Sequence, residues 1–235
     1  MSRYPLSCLA GTAAQAFETV LRFHLGGNRR VLDLTYGTGI SWRGIKIDGG
    51  LFEPPIELHR SDICEPYRQD LFTILNDRPV LAESFDAVFY DPPYFIGQRE
   101  SDDERAGAYG GYGHDLATLK RYVEFCAEIP KLLCDGGKVI VKCGDQYCVS
   151  ERRLRLHHLD WCASVGAAFD IIDFYVYRFH HVSPTAFQVK DRPSAVVTHS
   201  YFIVGQKPTR NGGLHERSGA GGDARGARAG EGSGH

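Results

Sequence analysis

Long hydrophobic runs are missing from this 235-residue chain, in which no apolar stretch approaches the roughly 18 residues that a membrane-crossing helix needs. That argues against a helical span, and no membrane partner is expected. The opening "MSRYPLSCLAGTAAQAF" holds Arg3 but no extended apolar core, so a secretory leader is not expected either. Cysteine occurs seven times, an odd number, with no Cys-x-x-Cys pair. Such usage fits neither a disulfide framework nor a zinc site; it implies reduced thiols in a cytoplasmic protein, with no metal centre. Cys143 and Cys148 straddle an expected strand end at a spacing that matches no metal signature, and they read as ordinary buried thiols. Charge of one sign is missing too. With a formal net charge of −2, bulk electrostatics does not select a nucleic-acid partner. Three local clusters depart from that neutrality: "ERRLRLHH" (Glu151 to His158), "YRFHH" (Tyr177 to His181) and "VKDRP" (Val189 to Pro193). Each reads as a basic face able to grip phosphates or as a solvated surface.

What is present is enough for one well-buried domain, with 43% of residues hydrophobic. From about Gly205 the composition turns Gly-, Ala- and Arg-rich, so residues 1–206 are expected to form the folded unit and 207–235 a disordered tail. No internal repeat is visible. Within the unit, helix-like and strand-like patterns alternate. Leu9, Ala13, Phe17, Val20 and Leu21 share a helical face that Gly26 and Gly27 terminate. Strands are expected at "RRVLDLTYG", "IELHR", "FDAVFY" and "GGKVIVKC", and helices around Ser41 to Ile47, from Leu116 to Leu133 with a kink at Pro130, and from Ser150 to Gly166. Two consecutive strands, "FDIIDFYVY" and "HSYFIVG", close the unit. The alternation implies an α/β, doubly wound, mostly parallel sheet with a C-terminal antiparallel hairpin.

In such sheets ligands sit at the carboxyl ends of the strands. The first long strand ends in "DLTYGTG", Asp33 to Gly39, where Gly37 and Gly39 let the backbone approach a ligand closely. A dinucleotide fingerprint would place Gly or Ala three residues further on, but Trp42 stands there, which argues against a nicotinamide cofactor. A plain structural turn is the alternative. Asp33 favours a ligand with an ammonium or hydroxyl donor over a bare phosphate, which suits S-adenosylmethionine. Asp62, after the second strand, is placed to receive ribose hydroxyls and Asp70 to meet the adenine amino group; both also suit helix caps.

The segment "YDPPYFIG" follows "FDAVFY" directly. Two prolines stop the strand and fix the turn, and neither has an N–H to compete for acceptors. That arrangement suits methylation of an exocyclic nucleobase amine, a poor nucleophile whose lone pair is delocalised into the ring. Two acceptors on its N–H bonds, the Asp91 carboxylate and the Pro92 carbonyl, would favour a pyramidal nitrogen aimed at a methyl donor. Such positioning contributes several kcal/mol. Pro93 completes the rigid turn, and Tyr94 offers a flat face for a base taken out of its helix. A rigid turn without chemistry is the alternative.

"DLTYGTG" followed by "DPPY" resembles the amino-group methyltransferases that use S-adenosylmethionine on a Rossmann-like, class I fold. The motif order resembles one class of adenine-N6 and cytosine-N4 DNA methyltransferases, and "GGKVIVKCGDQ" and "THSYFIVG" look like short phage and actinobacterial members of that group. The resemblance spans roughly residues 30–205 and implies that Asp33, Tyr36, Gly37 and Gly39, with Asp62 and Asp70, hold the cofactor. It likewise implies catalysis by Asp91, Pro92, Pro93 and Tyr94, with DNA as partner. RNA guanine N2 or a protein glutamine amide is the alternative acceptor, although related amide-modifying enzymes carry Asn where this chain has Asp91. A catalytically silent cofactor- or nucleic-acid-binding module is the alternative from another class. The chain departs from the larger DNA enzymes in having no room for a sizeable target-recognition region. Only the Gly-Tyr-rich stretch Phe95 to Asp115, which suits a mobile lid, and the polar stretch Arg178 to His199 could serve. Lys142 and His199 are placed to orient substrate or to serve structurally.

Overall fold

The computed structural model describes residues 6–25, 29–47, 55–62, 70–77, 81–93, 115–148, 151–179 and 197–209. Seven strands form one sheet: β1 (Cys8–Leu9), β2 (Arg29–Asp33), β3 (Ile56–Arg60), β4 (Phe85–Tyr90), β5 (Leu133–Cys143), β8 (Asp170–Arg178) and β9 (His199–Gln206). Their order is β1-β8-β9-β5-β4-β2-β3, and every pairing is parallel except those of β9. The expected α/β Rossmann-like architecture is therefore present. β8 and β9 pair antiparallel, as a closing hairpin should, but β9 is not appended at an edge. It slots between β5 and β8. Two short strands, β6 (Gln146–Cys148) and β7 (Arg153–Arg155), form a separate antiparallel ribbon.

The sheet is buried on both faces, which explains the near-continuous apolar runs of its central strands. Along β4 and β5, Val88, Tyr90, Val139 and Val141 join one core with Trp161 and Val165, while Ala87, Phe89 and Ile140 join the other with Phe17, Val20 and Leu21. Helix α1 (Ala13–His24) covers the second face; α3 (Leu116–Glu124) and α4 (His157–Ala168) cover the first, and α2 (Ile74–Asp77) is a single turn after β3. Thr12 starts α1 through a capping box, accepting from Gln15 N while Gln15 Oε1 accepts from Thr12 N. Phe17, fully buried, contributes about 1.5–3 kcal/mol by leaving water. Among the described residues no helix is long and apolar enough to cross a membrane.

Four local expectations are corrected. Leu9 belongs to β1 rather than to the first helix, although it is buried in the same core, and Leu25 in extended conformation ends that helix; Gly26 and Gly27 lie outside the described residues. The helix expected from Ser41 to Ile47 is one 3-10 turn, Ile40–Trp42, because Arg43 turns extended and Gly44 adopts φ +82°. The long helix before β5 ends as α at Glu124 and continues as two 3-10 turns, the second holding Pro130. "ERRLRLHH" does not open a helix: Arg153–Arg155 pair with Gln146–Cys148 as β7, and α4 starts at His157 and runs past Gly166 to Ala168. Cys143 and Cys148 are buried free thiols.

Candidate functional site

Three strand ends are laced together by the glycine loop. Beyond β2, Leu34 N donates to Phe89 O at 3.0 Å and so prolongs the ladder with β4. Tyr36 N then donates to Ser61 O at 3.1 Å, and Gly37 N to Asp62 Oδ2 at 2.7 Å, which ties the loop to the end of β3. Thr35 makes the third tie: its Oγ1 accepts from Asp91 N at 2.7 Å. The turn that begins with Asp91 is thus fastened to the loop that begins with Asp33. Gly37 and Gly39 both adopt positive φ, +53° and +69°. At Gly39 a Cβ would also lie 2.5 Å from Tyr36 Oη, because the phenol folds back across the loop. The Arg60 guanidinium lies over that ring, 5.0 Å from its centre.

Asp33 is 1% exposed, and both of its oxygens are engaged. Oδ1 accepts from Thr35 N at 2.9 Å and Oδ2 from the indole Nε1 of Trp42 at 2.6 Å. Burial pushes its carboxyl up to about 7 despite the two donors, and the nearby Asp91 and Asp62 carboxylates add to the rise. Trp42 itself is held edge-on by Phe17, at 4.9 Å between ring centres, and by Phe89 at 6.2 Å. The indole that departs from the dinucleotide pattern is therefore the anchor of the loop's acid, a role that sequence spacing did not reveal. Asp70 caps the 3-10 turn Leu71–Thr73 by accepting from Phe72 N at 2.9 Å, which is the capping alternative named above.

Asp91 is half-buried and Pro92 buried behind it. Asp91 Oδ2 accepts from Lys142 Nζ at 2.5 Å. Tyr94, residues 95–114 of the expected lid and residues 180–196 of the polar stretch before His199 lie outside the described residues, whereas Asp115 caps α3 by accepting from Thr118 N at 2.6 Å. Of the expected site residues, the structure thus brings together Asp33, Tyr36, Gly37, Gly39, Asp62 and Asp91, and it sets Asp70 on a separate capped turn. Beside them, sequence reasoning missed that His199 ends a part-buried polar chain at the carboxyl end of β5. Asp145 accepts from His158 Nδ1 at 2.8 Å and from Tyr201 Oη at 3.0 Å, and His199 Nε2 lies 2.7 Å from the same phenol oxygen. The signal was present as "GDQ" and "THSY" at two strand ends, but only the insertion of β9 beside β5 makes them neighbours. Of the expected basic clusters, Arg153 and Arg155 are both paired with Glu151.

Among the described residues no group of three or more His, Cys, Asp or Glu side chains could hold a metal ion. Asp33 is enclosed with both oxygens engaged, so the carboxylates placed to meet an organic ligand with hydroxyl or amino donors are Asp62 and Asp91, the latter already paired with Lys142. No family model matches the sequence, and none of the curated proteins matches it. Solved structures similar in fold include a Thermus thermophilus protein assigned as a DNA modification methylase, at 20% identity over 64% of this chain and 54% of that one, TM-score 0.38. This chain thus spans about half of that protein's length. A Burkholderia thailandensis 1,6-didemethyltoxoflavin-N1-methyltransferase is similar at 17% identity, 84% and 79% coverage and TM-score 0.42. A Bacillus halodurans protein assigned as a methyltransferase is similar at 13% identity, 83% and 100% coverage and TM-score 0.45.

Proposed function

We propose that this chain is an S-adenosylmethionine-dependent methyltransferase acting on an exocyclic amino group of a nucleobase in DNA, adenine N6 ahead of cytosine N4. The observation that carries the reading is the Thr35–Asp91 hydrogen bond of 2.7 Å, which fixes an Asp-Pro-Pro turn against a glycine loop. A cofactor seated on the loop would have its reactive end beside the carboxylate that holds the acceptor amine. Asp62 at the end of β3 and the loop glycines would hold it, while the enclosed Asp33 would keep the loop in shape through Thr35 N and Trp42 Nε1. When bound, S-adenosylmethionine supplies an electrophilic methyl group.

The chain's own residues then have distinct tasks. Asp91 accepts one N–H of the amine and the Pro92 carbonyl the other, aiming the nitrogen lone pair along one line. The fixed φ of Pro92 and Pro93 keeps those acceptors from rearranging. Tyr94 stacks on the base, and each such stack contributes about 1–3 kcal/mol.

Labelled methyl transfer to DNA, tRNA and rRNA, followed by nucleoside mass spectrometry, tests the reading. Methylated adenine or cytosine from DNA is expected, and Asp91→Ala should cut it to a small residual rate while keeping cofactor affinity. Methylated guanine from RNA, with DNA unmodified, would overturn the substrate assignment; an Asp91→Ala variant of normal rate would overturn the mechanism.

A further inference from the structure

Asp91 works in acidic company, since both it and Asp62 act on the buried Asp33. The Asp91 carboxylate can hold a substrate N–H only if one of its oxygens stays aimed at the amine, which calls for a partner that fixes its rotamer. Lys142 supplies that partner from β5. Tyr90 pairs with Val141 in the parallel ladder, so the next residues along the two strands, Asp91 and Lys142, are neighbours. Alternation places Lys142 on the face of Ile140, and its register partner is Phe202 of β9. The Lys142 and Asp91 side chains are only 14% and 17% exposed, with Nζ and Oδ2 2.5 Å apart. The ammonium also lies close enough to Tyr177 for its charge to act on that phenol. A pair so enclosed is geometrically fixed in a way that surface pairs are not.

We propose that Lys142 is a positioning residue for amino-group methylation, and this rests on the methyl-transfer reading above. By occupying Oδ2 it fixes the Asp91 rotamer and holds the carboxylate as an acceptor, leaving Oδ1 for the N–H of the substrate amine. Lys142 acts through Asp91 and makes no contact with the transferred group.

The test uses the full chain, labelled S-adenosylmethionine and unmethylated double-stranded DNA, with S-adenosylhomocysteine binding followed by calorimetry. Lys142→Met should lower kcat by about 10- to 100-fold, the loss of one charge-assisted hydrogen bond, with S-adenosylhomocysteine affinity kept within about threefold. Lys142→Arg should restore most of the rate, because a guanidinium also pairs with a carboxylate. Adding Lys142→Met to Asp91→Ala should slow transfer no further than Asp91→Ala alone. Should Lys142→Met fail to fold, Lys142→Leu, which likewise lacks a donor, carries the same comparisons. A full rate in the Lys142 variant beside a strongly slowed Asp91→Ala sinks the lysine proposal and leaves methyl transfer standing. So does a double variant slowed by the product of the two single losses, which would mean that Lys142 acts independently of Asp91. A wild type that methylates no nucleic acid, or an Asp91→Ala variant at full rate, removes the reaction reading and this proposal with it.

Discussion

Replacing Asp33 by Asn should make the protein less stable in acid and more stable above neutrality. The buried carboxyl titrates at about 7 in the fold against 3.8 in a free chain. Because the folded value is raised, the folded state binds the extra proton, and stability is lost as pH climbs from about 4 to about 7. That interval corresponds to about 4 kcal/mol. Asn stays neutral throughout and escapes the loss. It has, however, one acceptor for the two donors Thr35 N and Trp42 Nε1, and an unsatisfied buried donor costs about 1–3 kcal/mol. The variant should therefore be less stable than wild type by about 1–3 kcal/mol at pH 4 and more stable by a similar amount at pH 8. Urea unfolding at half-unit pH steps measures both curves, with equal slopes against denaturant confirming a common transition. A difference between the two proteins that stays constant from pH 4 to 8 would refute the account of Asp33 as a buried, costly anion.

Three further outcomes follow from the geometry. Gly39→Ala should destabilise the fold by about 1–3 kcal/mol and weaken cofactor binding, since the new methyl meets Tyr36 Oη at 2.5 Å on a backbone at φ +69°; thermal melting and calorimetry read both effects. In the Asp33→Asn background, stability should fall as pH drops below about 6.5, because burial lowers the pKa of His24 and His157 and the unfolded chain takes up their protons first; replacing His157 by Phe should flatten that fall. If the ribbon meets DNA, Glu151→Gln should release Arg153 and Arg155 for phosphates and steepen the dependence of log affinity on log salt by up to about 2, measured by fluorescence anisotropy.

The sheet was largely legible from the chain because β4, β5 and β9 carry dense apolar runs, and β2 a shorter Val-Leu core, bounded by turn residues. Their doubly wound arrangement followed from alternation with helices. Less legible were the places where a distant partner decides the local structure. "ERRLRLHH" has a helical composition, yet its backbone pairs with Gln146–Cys148. Likewise, Trp42 looked like an obstacle at the loop because spacing cannot show that its indole N–H turns back nine residues to Asp33. The site followed the same division. Asp33, Gly37, Gly39 and Asp91 stood out by motif, whereas Thr35, which joins the two motifs, is an unremarkable residue until β2 and β4 lie side by side.

The insertion of β9 between β5 and β8 also dictates an order of assembly. Both neighbours are synthesised before it, so a growing chain that has reached Arg178 holds two strands with unpaired edges facing a gap. Such edges are templates for association with other chains. The glycine loop and the Asp-Pro-Pro turn can form by then, since β2, β3, β4 and the neighbouring β5 have all been made, but Asp145 still waits for Tyr201. A ribosome-bound intermediate of this kind should bind holdase chaperones until His199–Gln206 emerges, and then release them as a single zipper closes both edges at once.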